Sequence, residues 1–324
     1  MKSVFAKHLG KNVRFGKCRP VAEAPHLRLR KYLRAPPPAP PVVSYADRAL
    51  PVLSDIYGND DVGDCVIAGG YHIEGLATGN AGNLYRATLD QIIADYSAIG
   101  GYRPGQPATD NGCDMQTAMN YWTQHGFRNG TKLLGWLAVD ATNTSELMTA
   151  LYLFENLFIG VELPDAAISP FPSADGYVWD VAGSPDPENG HAVCGVGYNQ
   201  SGVQIDSWGL IGTMTWGFLG KYGRAANHGE VYVFLTPDQL AKGQKIAPNG
   251  VDWTDLIRDF DALGGHVPVP TPPAPSPTPV PGHPVTLAEA QAWADAAIRS
   301  ASPFLLTSVA ISRVNAALAK NWRT

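Results

Sequence analysis

Apolar residues repeat with helical spacing in one part of this chain and form strand-like runs in another. After the turn Gly63-Asp64, apolar or small residues recur at positions 66, 69, 70, 73, 76 and 77, which fits a period of 3.6 residues. Three glycines weaken the helix propensity of this stretch. The pattern predicts a helix that begins at Cys65, where unpaired N–H groups and the helix dipole favour a thiolate.

A second pattern predicts a β-hairpin near residue 200. The apolar run 192–198 has the length of a buried strand, and His191 stands at its entrance. A turn at 199–202 leads into a second strand that ends at Asp206. Such a hairpin brings His191 close to Asp206, so that the carboxylate can accept the imidazole N–H and fix its tautomer.

Each of these residues also has a purely structural interpretation. A single buried cysteine is most often part of a hydrophobic core, which is the alternative for Cys65. His191 is also compatible with a hydrogen-bonded residue at a strand end, and Asp206 with a turn residue.

Beyond residue 250 the pattern changes twice. Residues 251–263 predict a short helix, and nine prolines between 268 and 284 predict an extended linker. A capping-box match at 286–289 then opens an Ala-rich helical segment. We therefore divide the chain into a basic arm with a proline-rich spacer, a central domain, a proline-rich linker and a helical tail, at 1–41, 42–265, 266–285 and 286–324.

The predicted helical tail is too short to form a hydrophobic core that is stable on its own. We expect it to form a helical hairpin that binds a partner protein or copies of itself. The alternative is that it packs on the central domain of the same chain.

Charge is distributed unevenly. Residues 1–35 carry ten Lys and Arg and one acid, whereas acids outnumber bases two to one in the remainder. Three interpretations of the basic arm stay open. It binds nucleic acid or an acidic protein surface, it folds back onto its own acidic body as a pro-segment does, or it is a solvated, disordered terminus.

The composition predicts a folded globular protein and argues against a zinc-stabilised, secreted or membrane-spanning one. The 324 residues are 45% hydrophobic, enough for a large core. Four cysteines without CxxC spacing argue against a structural zinc site. No apolar segment of a signal peptide follows Met1, and no run of 18 apolar residues predicts a membrane span. We expect synthesis in the cytoplasm without secretion.

These segments together supply the groups that a cysteine nucleophile needs: a thiol, an imidazole base and a carboxylate to orient it. On these residues the chain resembles the papain-like cysteine peptidases. In that family a Cys opens a central helix, a Gln lies six residues before it, a His begins a strand, and an Asn-Ser-Trp-Gly motif follows. The matching residues here are Cys65, Asn59, His191 and the run Asp206, Ser207, Trp208 and Gly209.

The resemblance implies an α+β fold of two lobes, a helical lobe with Cys65 and a β-rich lobe with His191, with the site between them. It assigns Cys65 as nucleophile, His191 as base, Asp206 as orienting group and Asn59 as oxyanion donor. Trp208, Ser207 and Gly209 are supporting residues, and we expect Trp208 to cover the hydrogen bond between His191 and Asp206 and keep water out. No metal or cofactor is implied.

Several residues depart from the family pattern. Asp206 replaces Asn and Asn59 replaces Gln. The run 114–116 replaces the Asn-Gly-Gly that pairs with substrate backbone, so the substrate cleft differs most from the family. Val62 replaces a disulfide cysteine, which leaves Cys113 without the partner that the resemblance implies.

Two functions follow from these observations. The first is a thiol hydrolase that cleaves a peptide or isopeptide bond of a polypeptide substrate through Cys65, His191 and Asp206. The second is a weakly active or inactive papain-fold protein that serves a structural or attachment role. The basic arm and the partner-binding tail would suit a component of a large assembly such as a phage or virus particle. Zinc hydrolysis and nucleotide binding fit poorly, because their ligand spacings are missing from the sequence.

Overall fold

The computed structural model describes residues 3–20, 26–34, 36, 38–239, 251 and 253–262. The predicted linker and helical tail lie outside these residues, so their expected roles and the domain boundaries stay predictions. The helix predicted at 251–263 is confirmed, with bounds Trp253–Ala262.

One long helix among the described residues is buried, and shorter helices lie on both faces of the sheet. In chain order they are α1 (Leu50–Leu53), α2 (Cys65–Ala81), α3 (Leu89–Gly100), α4 (Met115–Gln124), α5 (Thr144–Phe154), α6 (Asp165–Ile168), α7 (Trp216–Tyr222) and α8 (Trp253–Ala262). Helix α2 begins at the cysteine, as predicted, and every residue from Cys65 to Gly79 is buried. Its glycines allow close packing: a Cβ on Gly70 would collide with the ring of Trp122. Helix α2 is therefore the central element of the helical half.

Strands form one large sheet and one small N-terminal ribbon. They are β1 (Ser3–Ala6), β2 (Lys11–Arg14), β3 (Val43–Ser44), β4 (Gly135–Ala138), β5 (Leu157–Glu162), β6 (Val178–Trp179), β7 (Gly190–Tyr198), β8 (Gly202–Ser207), β9 (Leu210–Thr215) and β10 (Glu230–Leu235). Strands β1 and β2 pair with each other. The large sheet has the order β4-β10-β5-β7-β8-β9-β6, with β3 paired to β7, and all its pairs except β6 with β9 are antiparallel.

The sheet separates two hydrophobic cores. Because successive side chains of a strand point to opposite faces, Ala192 and Cys194 of β7 belong to the core around α2. Val193, between them, belongs to the core on the other face. This two-core arrangement confirms the predicted α+β class and places α2 against the strand that carries His191.

The N-terminal segment is part of the folded domain. Val13 and Phe15 are buried in the core that contains Val193, on the face of the sheet away from α2. Leu29 and Tyr32 belong to the same core. The structure thus favours the second of the three interpretations of the basic arm, in which it folds back on its own body. The residues described from this arm are 3–20 and 26–34.

The predicted hairpin forms from β7 and β8 and contains a β-bulge. On the turn side of the bulge, Tyr198 faces Val203. On the other side, Cys194 faces Asp206, and the register shifts by one residue between them. One strand thus carries an extra residue. Val196 packs in the core around α2, whereas Tyr198 packs in the opposite core, as expected when a bulge exchanges the faces.

The bulge decides which residue shares a face with the histidine. Continued without it, the turn-side register would set Asp206 opposite Gly195, on the face of His191. With the bulge, Asp206 lies opposite Cys194 and points to the other face. Ser207 then takes the face of His191. A one-residue register shift exchanges the two faces of a strand, and this shift was not predicted from the sequence.

Candidate active site

Cys65 is the first residue of α2 and is 2% exposed. It lines a small cavity of about 10 Å³ together with His191, Trp208, Asn59 and Asp206. Cavities of this size hold about one water molecule. The structure therefore brings the predicted nucleophile and the predicted base to one small pocket.

His191 is held by the two residues after Asp206. Its Nε2 lies 2.9 Å from Oγ of Ser207. Its ring is stacked on Trp208 with the centroids 3.8 Å apart and the planes at 7°. Nδ1 is buried and has no hydrogen-bond partner among the described residues. One nitrogen is thus fixed while the other is free to exchange a proton.

Gly209 completes this turn. Trp208 and Gly209 both have positive φ, 50° and 73°, a conformation that a glycine adopts at little cost. A Cβ on Gly209 would lie 2.9 Å from the carbonyl oxygen of Ser54. A glycine is therefore needed where the chain turns away after the tryptophan.

Asp206 does not contact His191, contrary to the predicted pairing. Its Oδ2 lies 2.9 Å from Nδ1 of His72, a residue of α2, and both side chains are buried. The physical reason is the register shift in the hairpin, which turns Asp206 to the face of α2. Any role of Asp206 as an orienting group therefore acts through other residues.

Asn59 lies in the predicted neighbourhood, but its amide is already engaged. Nδ2 lies 3.2 Å from the carbonyl oxygen of Arg14 and 3.2 Å from that of Val62, and donates to both. Arg14 in turn donates its N–H to the carbonyl oxygen of Asn59 at 3.1 Å. In this state the predicted oxyanion donor binds the N-terminal segment.

Neither the Cys65 thiol nor the His191 imidazole carries a charge in this state. Burial raises the pKa of the Cys65 thiol from its ordinary 9.0 to about 12, and the preceding Asp64 adds to this effect. Burial also lowers the pKa of His191 from 6.5 to about 3. Both groups are neutral at pH 7, which differs from the activated thiolate that the helix N-terminus predicts.

A segment of the N-terminal arm, residues 13–18, runs across this site and is called the strap below. Its backbone is bonded to both sides of the cleft. Gly16 accepts a hydrogen bond from the N–H of Cys113 at 2.7 Å, and Lys17 donates to the carbonyl oxygen of Gly190 at 3.0 Å. A Cβ on Gly16 would collide with the backbone of Gly63. The strap is therefore fitted closely between the segment that precedes Cys65 and the residue that precedes His191.

Two side chains of the strap, Phe15 and Lys17, bind it to residues of the large sheet and of the turn after β8. The ring of Phe15 packs edge-on against His191 and Trp208, with centroids 6.0 and 5.6 Å away. Nζ of Lys17 lies 2.9 Å from Oε1 of Glu230, and the two side chains are 1% and 5% exposed. A buried ion pair of this kind is costly to break by removing one partner.

Glu230 belongs to a small polar network. Its Oε2 accepts from the hydroxyl of Tyr232, which accepts from Nε2 of Gln116. Burial raises the pKa of Glu230, and Lys17 is the largest of the effects that oppose this rise. Lys17 thus supplies a positive charge that favours the ionised form of this buried carboxylate.

The sequence did not indicate Phe15, Lys17 or His72 as site residues. The available signal for the strap is the alternation of apolar and basic residues at 13–17, which is typical of a strand with one buried face. His72 had a weaker signal, its position seven residues after Cys65, which places both on one face of a helix. Among the described residues, no group of three or more His, Cys, Asp or Glu side chains is placed to bind a metal.

We expect Cys65 to be nearly inert towards iodoacetamide in the wild-type chain. A pKa of about 12 in place of 9.0 reduces the thiolate at pH 7.5 about thousandfold, and burial slows the reaction further. The rate should rise about tenfold per pH unit up to pH 10. Peptide mapping by mass spectrometry measures it separately from the half-buried Cys18, with the guanidinium-unfolded chain as control. A rate that is already maximal at pH 6 would contradict this.

The fold of this chain is similar to that of solved protein structures. No protein-family model and no curated protein matches the sequence. Among solved structures, the chain is similar to xylellain, a cysteine protease from Xylella fastidiosa, at 13% identity and a TM-score of 0.51, over 70% of this chain and 97% of that one. It also matches a digestive procathepsin L 3 from Tenebrio molitor larval midgut, at 15% identity and a TM-score of 0.49, over 67% and 76%.

At these identities the likeness concerns the fold, and the fold inference rests on xylellain, whose TM-score exceeds 0.5. The chain has a papain-like fold, which confirms the resemblance given by the sequence motifs. No helix among the residues described here has the length and apolarity to cross a bilayer.

Proposed function

We propose that this papain-fold chain is a cysteine-type hydrolase of peptide or isopeptide bonds, held latent by its own strap. The observation that carries the proposal is that Cys65, at the N-terminus of α2, shares one small cavity with His191. Ser207 and Trp208 fix the ring of His191, and its Nδ1 has no hydrogen-bond partner in the part of the chain that the structure describes. A nucleophile, a base and groups that orient the base are the parts that acyl transfer needs.

In the proposed reaction His191 takes the proton of the Cys65 thiol through Nδ1. The thiolate attacks the carbonyl carbon of the scissile bond, and the amine leaves with the proton from His191. Water then hydrolyses the thioester, with His191 again as base, which releases the carboxylic acid and restores the thiol. Ser207 holds Nε2 throughout, so that the ring keeps its orientation.

The strap explains why His191 is uncharged and the Asn59 amide is occupied in this state. Phe15 excludes water from the imidazole, and the desolvation that lowers the pKa of His191 comes from such burial. The carbonyl of Arg14 takes up the amide donor of Asn59. Departure of the strap hydrates the imidazole and frees that amide for the oxyanion of the tetrahedral intermediate.

The alternative is a papain-fold attachment protein, part of a large assembly such as a phage particle, that has no hydrolytic role. Its favouring observation is the same electrically neutral pair: a thiol with a pKa of about 12 beside an imidazole with a pKa of about 3. Under this alternative the strap is a permanent part of the fold. The two functions differ in what happens when the strap is displaced.

The test uses a released variant, Lys17→Glu, in which two carboxylates meet at Glu230 and the strap is expelled. Fluorescently labelled, unfolded casein offers many peptide bonds, and the proposal predicts that the released variant cleaves it. The same variant with Cys65→Ala should leave it intact. If Cys65 of the released variant becomes open to alkylation and casein still stays whole, the attachment role is the better account.

A further inference from the structure

His72 is a buried histidine that the proposed reaction does not use. It lies on α2 two turns after Cys65, and Gly69 lies between them, so positions 65, 69 and 72 share one face of the helix. All three line the small cavity that also contains His191. His72 thus lines the same small pocket and lies on the helix that positions the nucleophile.

Both ring nitrogens of His72 face hydrogen-bond acceptors. Nδ1 lies 2.9 Å from Oδ2 of Asp206, and Nε2 lies 3.1 Å from the carbonyl oxygen of Asp55. A carbonyl oxygen only accepts, so Nε2 carries a proton. Oδ2 of Asp206 is a second acceptor beside the ring. A ring that faces an acceptor at each nitrogen favours the form that carries a proton on both nitrogens.

Asp206 depends on this contact. The carboxylate is buried, and burial raises its pKa, while His72 acts in the opposite direction. The ring of Tyr57 stacks on the imidazole of His72, with the centroids 4.9 Å apart and the planes at 29°. A buried carboxylate is stabilised when a hydrogen-bond donor faces it, so the contact with His72 opposes the effect of burial on Asp206 and holds both side chains in place.

The pair connects the two halves of the site. Asp206 immediately precedes Ser207 and Trp208, which hold the ring of His191. His72 belongs to the helix that begins with Cys65. The contact therefore joins the end of β8, which orients the base, to α2, which carries the nucleophile.

The structure assigns His72 and Asp206 as a positioning pair: a buried imidazolium–carboxylate contact that sets the geometry of Cys65 relative to His191. This inference rests on the proposed function for its effect on rate. It gives Asp206 a role without contact to the base. A misplacement of reacting groups by about 1 Å is worth up to about hundredfold in rate, so loss of the pair should lower kcat.

The first test is spectroscopic and independent of hydrolysis. Nitrogen NMR of the wild-type chain at pH 7 should show both ring nitrogens of His72 protonated, with the signals assigned by their loss in His72→Gln. In Asp206→Asn one of the two protons should be lost. A neutral ring with a single protonated nitrogen in the wild-type chain would overturn the inference, whether or not the chain is a hydrolase.

The second test is kinetic and uses the released variant. Asp206→Asn and His72→Gln should each lower kcat for casein about tenfold to hundredfold and leave KM within about twofold. The double variant should be no slower than the slower single variant, because both remove one contact. His125→Gln, at the end of α4, serves as the matched control. An unchanged kcat in folded single variants, or a change confined to KM, would overturn the positioning role. A released variant that cleaves nothing would instead refute the proposed function.

Discussion

Charge reversal at one strap residue, Lys17→Glu, should raise the alkylation rate of Cys65 at pH 7.5 by at least about hundredfold. In the wild-type chain Lys17 makes a buried ion pair with Glu230. Loss of one partner of such a pair costs about 3–5 kcal/mol, and about 1.4 kcal/mol corresponds to a factor of ten in an equilibrium. The strap-bound state should therefore give way to a state in which Cys65 is accessible.

Two further variants separate strap release from general damage. Lys7→Glu reverses a charge on the exposed turn residue that follows β1, without touching Glu230, and should leave the rate at the wild-type value. Lys17→Glu combined with Glu230→Lys restores an ion pair of opposite polarity and should slow alkylation again. If Lys17→Glu leaves Cys65 as slow as in the wild type while circular dichroism shows a folded chain, the strap is not held by this pair.

The second large effect concerns the base. In the released variant, His191→Ala should lower kcat for casein by about 10² to 10⁴, the usual contribution of general acid–base catalysis. The physical reason is that Cys65 loses the group that accepts its proton and later protonates the leaving amine. Steady-state cleavage of labelled casein measures the change.

The matched control for this prediction is His125→Ala, which removes an imidazole that packs at a tilt against Tyr121 and lies outside the site. Its kcat should equal that of the released variant. A comparable loss in both histidine variants would mean that the decrease reflects stability. An unchanged kcat in His191→Ala would remove His191 from the reaction.

Local patterns predicted the elements of the site well. The helical spacing after Asp64 correctly placed Cys65 at the start of α2. The two apolar runs correctly predicted β7, β8 and the turn between them. These features depend on residues that are close in sequence, which is why periodicity and turn residues suffice to find them.

The contacts between distant elements were beyond the reach of these patterns. Whether Asp206 faces His191 or His72 depends on a single extra residue in the hairpin, and no local pattern fixes a bulge in a chain rich in Val and Gly. The binding of Lys17 to Glu230 joins residues more than 200 positions apart. Such a pair is specified by packing alone, so the strap was one of three open interpretations of the basic arm.

The central claim is that Cys65 becomes an activated nucleophile through His191 once the strap leaves. The most direct test is the alkylation of Cys65 by iodoacetamide at pH 6, in the released variant and in the released variant with His191→Ala. The account predicts fast alkylation in the first, because a thiolate–imidazolium pair forms below the ordinary pKa of a thiol, and a collapse of the rate in the second. Equal, slow rates that rise only as the pH approaches the ordinary thiol pKa of 9.0 would contradict it.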